Sequence, residues 1–234
     1  MLPIAILAGG LATRLRPITD TIPKALVDIA GVPFIVRQLQ YLRSQGGARV
    51  VLCVSHLGDQ IRDIVRDGAQ FGLSVDYSFD GAVRLGTGGA VKRALPLLGD
   101  AFFALYGDSF LPIDFADVER AFVRLGRPAL MTVLRNADRW DKSNVEFREG
   151  RVDEYNKRRP RPEMAYIDYG LGVLSAQVFD DYAQETIIDL ADVYHALSKA
   201  GRLAGHEVFE RFYEIGSHDG LADTQRYFTQ LDAA

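Results

Sequence analysis

Apolar and polar positions fall along this chain in blocks whose period keeps changing. An apolar run over 3–8 predicts a short buried strand, and the polar stretch 9–32 after it is too long for a tight turn and reads as a functional loop. Pro33 suits the first turn of a helix that carries Ile35, Leu39 and Leu42 on one face and ends at Gly46 and Gly47. A strand is predicted over 49–54, then a helix marked by Ile61, Ile64 and Val65, then an alternating strand over 73–79. After a glycine-rich loop come a helix over 91–98 and a continuously apolar strand over 101–106, the pattern of a strand covered on both faces. Phe115, Val118, Phe122 and Leu125 mark another amphipathic helix, and 129–134 is the next strand.

This strand–helix alternation with short connections predicts an α/β fold, a parallel sheet with helices on both faces. From about 135 the texture changes. Short strands over 144–147 and 151–155 flank Glu149 and Gly150 as a hairpin, and a basic, proline-broken segment follows. A strand over 166–174, a helix through Leu190, Val193, Tyr194 and Leu197, and a last helix over about 219–231 complete the pattern. The expected organisation is a single domain, 1–234, with a core over 1–134 and a lobe over 135–234 that completes its pocket.

Composition narrows the function classes. A net charge of −4 argues against a non-specific nucleic-acid binder, although local cation clusters could still hold phosphate. Cys53, the single cysteine, sits in an apolar strand and reads as a small hydrophobe. No run approaches the ~18 apolar residues of a spanning helix, and no leader pattern opens the chain, so a cytoplasmic protein that contacts no membrane is expected. His56, His195, His206 and His218 show no metal spacing.

The densest chemistry lies in the first loop. Leu7 and Ala8 end the first strand, Gly9 and Gly10 break it, Arg14 and Arg16 follow, and Pro23 and Lys24 close the stretch. Adjacent glycines let backbone N–H groups approach an anion, and the cations supply charge, so this loop is built to grip phosphate. It lacks the spacing of a Walker loop and of a dinucleotide fingerprint. A second glycine-rich segment, 85–94, opens a helix. Asp108 follows the buried strand 101–106, at a predicted carboxyl end like the first loop. The two could share one crevice, where a carboxylate beside phosphates would attract magnesium.

The stretch LAGGLATRLRPITDTIPKALVDIAG resembles the signature of the sugar-1-phosphate nucleotidyltransferases, with Ala12 where that family usually has glycine. The resemblance implies a Rossmann-like mixed, mainly parallel sheet with a small sugar-binding lobe, the nucleotide-diphospho-sugar transferase fold. It also implies transfer of a nucleotidyl group from a nucleoside triphosphate to a sugar 1-phosphate, with release of pyrophosphate. Mg2+ is the implied cofactor, and nucleotide-sugar biosynthesis for cell-surface polysaccharide the implied setting. No nucleic-acid partner is expected, and the assembly is a monomer or small homo-oligomer. The chain ends after its last helix, so the C-terminal β-helix of bifunctional relatives is not expected.

Site roles carried over from the family fall on matching positions. Leu7, Ala8, Gly9, Gly10 and Thr13 would line the nucleotide, Arg14 would contact the β and γ phosphates, and Lys24 the α-phosphate. Gly88 would pack close to the base, and Asp80 could accept N1–H and N2–H of guanine or N3–H of uracil. Asp108 and Glu214 would hold the metal, Glu214 standing where the family has aspartate, with Asp219 as rival ligand or member of the last helix's first turn. Lys157 would bind the sugar phosphate, and Asp168 and Gly170 would face the sugar ring; Arg158, Arg159 and Arg161 either add charge there or form a solvated surface. Trp140 lines the pocket or covers the lobe. Within the family, the LGTGGA loop is most similar to D-glycero-D-manno-heptose 1-phosphate guanylyltransferases, which implies GTP and that heptose phosphate. ALPLLGD is similar to N-acetylmuramate 1-phosphate uridylyltransferases, the alternative. A non-catalytic nucleotide-sugar sensor is the reading from another class.

Overall fold

The computed structural model describes residues 1–10, 13–81 and 83–233. Ala12, the position that departs from the family motif, lies outside the described residues. Strand β1 (Ile4–Leu7) leads into a loop of 3-10 turns, then the short strands β2 (Asp28–Ile29) and β3 (Val32–Pro33) and helix α1 (Phe34–Ser44). The chain continues through β4 (Arg49–Val54), α2 (Gly58–Val65), β5 (Ser74–Phe79), α3 (Gly86–Leu98), β6 (Ala101–Tyr106), β7 (Ser109–Phe110), α4 (Phe115–Leu125) and β8 (Ala129–Arg135). The hairpin β9 (Val145–Arg148) and β10 (Arg151–Tyr155) follows, then β11 (Tyr166–Ser175), α5 (Leu190–Lys199), β12 (Leu203–Val208), β13 (Tyr213–Glu214) and α6 (His218–Asp232). No helix among the described residues is long and apolar enough to cross a membrane.

One nine-stranded sheet runs in the order β5-β4-β1-β6-β11-β8-β12-β10-β9. β5, β4, β1 and β6 are mutually parallel, as the strand–helix alternation predicts. β11 runs antiparallel between β6 and β8, so the sheet is mixed, and a strand from beyond residue 135 lies in its middle. β12, which has no counterpart among the predicted elements, pairs parallel with β8. Alternation decides what each face buries: Ile4 and Ile6 enter one apolar layer with Val50 and Leu52, while Ala5 enters the other with Val51 and Phe102. Each fully buried aliphatic contributes roughly 1.5–3 kcal/mol, so this two-sided burial fixes the sheet and with it the row of strand ends.

Local signals set several boundaries. Asp114 caps α4 by accepting from the N–H groups of Ala116 (2.8 Å) and Asp117 (3.2 Å), and Gly126 ends that helix at φ 60°. The β9–β10 turn places Glu149 (φ 49°) and Gly150 (φ 80°) in the left-handed region, as a tight two-residue hairpin requires. Helix α3 starts at Gly86, five residues before the predicted 91.

Candidate functional site

The parallel strands put their carboxyl ends side by side. Leu7 is in register with Cys53 on one side and Tyr106 on the other. The residues just beyond, Ala8 and Gly107, are therefore neighbours: Ala8 N–H donates to the Cys53 carbonyl (2.9 Å) and Gly107 N–H to the Leu7 carbonyl (3.0 Å). A Cβ at Gly107 would stand 2.7 Å from the Leu7 carbonyl oxygen, so only glycine lets these two strand ends close up. Gly9 is held from the other side, where the Ser55 hydroxyl donates to its carbonyl at 2.7 Å.

A cleft of about 640 Å3 opens over these ends. Its lining includes Leu7, Ala8, Gly9, Gly10, Thr13, Arg14, Lys24, Asp80 and Asp108, nine of the residues singled out in the sequence. Lys24 and Asp108 meet across it, Nζ to Oδ2 at 2.6 Å. Gly216 closes the far side. A methyl group there would stand 3.3 Å from both Arg14 Nη2 and Lys24 Nζ and would strike the Glu214 carboxylate. The cations of the opening loop and the segment 214–216 therefore converge on one point.

Glu214 reaches this place through β13, which pairs with β7 directly after Asp108. Ile215 N–H donates to the Asp108 carbonyl at 2.9 Å, tying the two acidic segments together. The Glu214 carboxylate accepts from Gly216 N–H and from the Ser217 hydroxyl (2.7 Å), so its oxygens are engaged by its own loop. Asp219 is exposed in the first turn of α6, whose cap is Ser217. Among the described residues no three His, Cys, Asp or Glu side chains converge as a metal cage. Asp80 and Asp108 are the carboxylates that the described residues present to the cleft, and Asp108 is the one that meets Lys24. That fits a magnesium ion held by one or two carboxylates together with a substrate's own oxygens.

Asp80 is almost fully buried at the end of β5 and accepts weakly from Leu85 N–H (3.4 Å). Burial raises its pKa, opposed by that N–H and by the charges of Arg93 and Arg84. Gly88 does not line the cleft, contrary to the expectation that it packs on a base. Its N–H donates to the Ile188 carbonyl (2.8 Å), and a Cβ there would stand 2.9 Å from the Ile188 side chain. Gly86 and Thr87, the two residues before it, form the wall instead.

The remaining expected residues, Lys157, Asp168 and Gly170, are not among the lining of this cleft. Asp168 is surrounded by protein while keeping an exposed edge. Burial raises its pKa, and the Gly170 N–H (3.0 Å), the Lys157 charge and the Tyr155 hydroxyl act in the opposite direction. Tyr106 lines the cleft, and its hydroxyl pKa is raised by burial and next by the charge of Asp168. Gly170, at φ 103°, faces the Tyr106 ring and Ser109. Of the neighbouring arginines, Arg158 pairs with Asp192 (2.6 Å), and Arg161 with Glu146 and Glu154 (2.9 Å each). These two are therefore surface pairs. Sequence reasoning passed over Arg84, Thr87, Tyr106 and Ile187, all of which line the cleft. Tyr106 could have been found as the residue before the Gly107–Asp108 pair, and Thr87 inside the second glycine segment. Arg84 and Ile187 carry no such signal.

A row of parallel strand ends with a glycine-and-cation loop on one side and a carboxylate on the other defines a phosphate-handling α/β protein. The chain belongs to the nucleotidyl transferase family, whose model matches residues 4–230. This is the family that the opening motif resembles, and the enzyme class expected from it. N-acetylmuramate alpha-1-phosphate uridylyltransferase of Neisseria meningitidis is 30% identical over 226 residues, 94% of this chain and 95% of the relative. D-glycero-alpha-D-manno-heptose 1-phosphate guanylyltransferase of Campylobacter jejuni is 30% identical over 183 residues, 76% of this chain and 78% of the relative. The crystal structure of HddC from Yersinia pseudotuberculosis complexed with GMP-PN superposes with a TM-score of 0.82 at 26% identity, covering 97% of this chain and 100% of that one.

Proposed function

We propose that this protein joins a nucleoside triphosphate to a sugar 1-phosphate, with pyrophosphate as leaving group. The observation that carries the reading is the meeting of Lys24, Arg14 and Asp108 in one cleft beside Gly9 and Gly10. A phosphate oxygen of the sugar attacks the α-phosphorus in line. The bond to the bridging oxygen of the β-phosphate breaks, and that oxygen leaves with the pyrophosphate. Such a reaction needs positioning and charge neutralisation, with no covalent protein intermediate.

In this reading Gly9, Gly10 and Thr13 hold the triphosphate through loop donors, Arg14 meets its β and γ groups, and Lys24 leaves Asp108 for the α-phosphate. Asp108 and Glu214 are the carboxylates that would hold Mg2+, Glu214 only with its loop contacts released. Mg2+ when bound supplies positive charge against the phosphates. Asp80 receives the base, with Thr87 and Tyr106 as walls. Lys157 takes the sugar phosphate, while Asp168 and Gly170 face the ring. The core 1–134 thus supplies most of the nucleotide side, and 135–234 the sugar-phosphate side together with Glu214 and the wall at Ile187 and Gly216.

The favoured pair is GTP with D-glycero-D-manno-heptose 1-phosphate. Asp80 offers two acceptor oxygens, which match the adjacent N1–H and N2–H of guanine. A second reading, UTP with N-acetylmuramate 1-phosphate, draws on the uridylyltransferase relative, which aligns over more of both chains. A matrix of the common triphosphates against a panel of sugar 1-phosphates, read by pyrophosphate release with Mg2+, tests both. Release with one pair names the substrates. Release with none is the outcome that a non-catalytic nucleotide-sugar sensor predicts.

A further inference from the structure

A second cleft opens at the carboxyl ends of the parallel pair β8 and β12. It has a volume of about 410 Å3, within the range of small-molecule sites, and shares no lining residue with the first. Arg135, Arg139 and Arg211 bring three guanidinium groups to it, against one carboxylate, Glu207. The charge of Glu207 adds to burial in raising the pKa of the nearby Tyr166 hydroxyl. Neither Arg135 nor Arg139 has an ion-pair partner among the described residues.

The aromatic side is as unusual as the charge. Trp140 is 43% exposed and Phe209 79% exposed, both on the cleft wall. The Arg211 guanidinium lies 3.9 Å over the Trp140 ring centroid, pinned from behind by Asp223. The loop that presents Arg139 and Trp140 is held in place. Fully buried Asn136 donates to the Asp141 carbonyl (2.6 Å) and accepts from Trp140 N–H (3.1 Å), and Ser143 N–H donates to Asp138 (2.7 Å). A pinned loop that exposes a tryptophan beside two arginines without an ion-pair partner among the described residues is a pre-formed recognition surface.

We propose that this cleft binds an anionic sugar. The ring lies against Trp140 and Phe209, its acid group meets Arg135 and Arg139, and Glu207 accepts ring hydroxyls. An arginine pair suits a phosphate or a carboxylate equally, through parallel N–H donors. The site does not rest on nucleotidyl transfer in the first cleft.

Trp140 is the only tryptophan of the chain, so its fluorescence reports on this cleft. The full-length protein is titrated with glucose 6-phosphate, with glucuronate, with potassium phosphate and with glucose. A saturable change with glucose 6-phosphate or glucuronate, absent with glucose, is expected, and the two arms tell phosphate from carboxylate. Arg139→Ala should weaken it roughly tenfold, the loss of one charge-assisted contact. The Arg135→Ala, Arg139→Ala double variant should abolish it, while Asp108→Asn, in the first cleft, should leave it intact. No saturable change with either anionic sugar, a change as large with glucose or with phosphate alone, or one that survives the double variant overturns the proposal. Pyrophosphate release by Arg139→Ala, with no anionic sugar beyond the substrate, stays at the parent rate if the site is separate from the first cleft.

Discussion

Lys24 donates to Asp108 at 2.6 Å, and the pair bridges two walls of the cleft that lie 84 residues apart in the chain. Its members are 14% and 34% exposed, so water screens the attraction and the pair adds little to folding. A triphosphate entering the cleft would compete with Asp108 for the Lys24 ammonium and leave the carboxylate free for a cation. Lys24→Ala and Asp108→Asn should each lower turnover by at least about a hundredfold, the scale of one lost electrostatic contact in a closed site. Far-UV circular dichroism should stay that of the parent. Pyrophosphate release near the parent rate in either variant would remove both residues from the site.

Much of this arrangement was legible from residue order. Apolar runs broken by glycine placed β1, β6 and their ends, and nine of the residues singled out share the cleft. Three features were not legible, for different physical reasons. β12 reads LAGHEV, without alternation, because both its faces are covered, Leu203 entering one apolar layer and Ala204 and Val208 the other, while His206 turns to Asp117. Helix α3 begins among glycines of poor helix propensity, which are there because Gly86, Gly88 and Gly89 lie against the backbone of 186–190. The insertion of β11 between β6 and β8 is a long-range pairing, and no local pattern encodes which strand sits beside which.

Gly107→Ala tests how tightly the two strand ends must close. The added methyl would meet Leu7 O at 2.7 Å and Ala8 Cα at 3.0 Å, both backbone atoms that cannot swing aside. Overpacking of this kind costs about 1–3 kcal/mol, and relief would push Asp108 away from the opening loop. A lower urea midpoint together with a raised KM for the triphosphate is expected. A variant with parent stability and parent KM would show that the contact does not set the cleft.

Asp80 gives stability a pH dependence whose sign follows from its burial. Its pKa in the folded chain is raised above the ordinary 3.8, so the native state keeps a proton that the unfolded chain has released. Stability from this group is complete below 3.8 and is lost as pH rises through the native value. Asp80→Asn cannot ionise. The variant should match the parent at about pH 3 and gain on it as the pH is raised toward about 7, read from urea midpoints at each pH. The same substitution replaces one acceptor oxygen by an amide donor. Discrimination between GTP and UTP should therefore shrink, and unchanged discrimination would take Asp80 out of base recognition.

Ser217 and Glu214 act as one unit at the entrance to α6. The Ser217 hydroxyl accepts from Gly220 N–H (3.0 Å) as helix cap and donates to Glu214 (2.7 Å), while Gly216 N–H donates to the other Glu214 oxygen. Ser217→Ala removes a cap worth about 1 kcal/mol and one donor to the carboxylate. Glu214→Gln offers one oxygen to two donors, so one of them faces an amide group, at a cost of about 1–3 kcal/mol. Both variants should unfold at lower urea, Glu214→Gln by the larger amount. Manganese binding followed by electron paramagnetic resonance separates the loop role from the metal role. Asp108→Asn should weaken Mn2+ more than Glu214→Gln does, because Glu214 must first release both loop donors. Equal weakening in the two variants would mean that Glu214 is a ligand of the same rank and that the loop contacts do not hold it back.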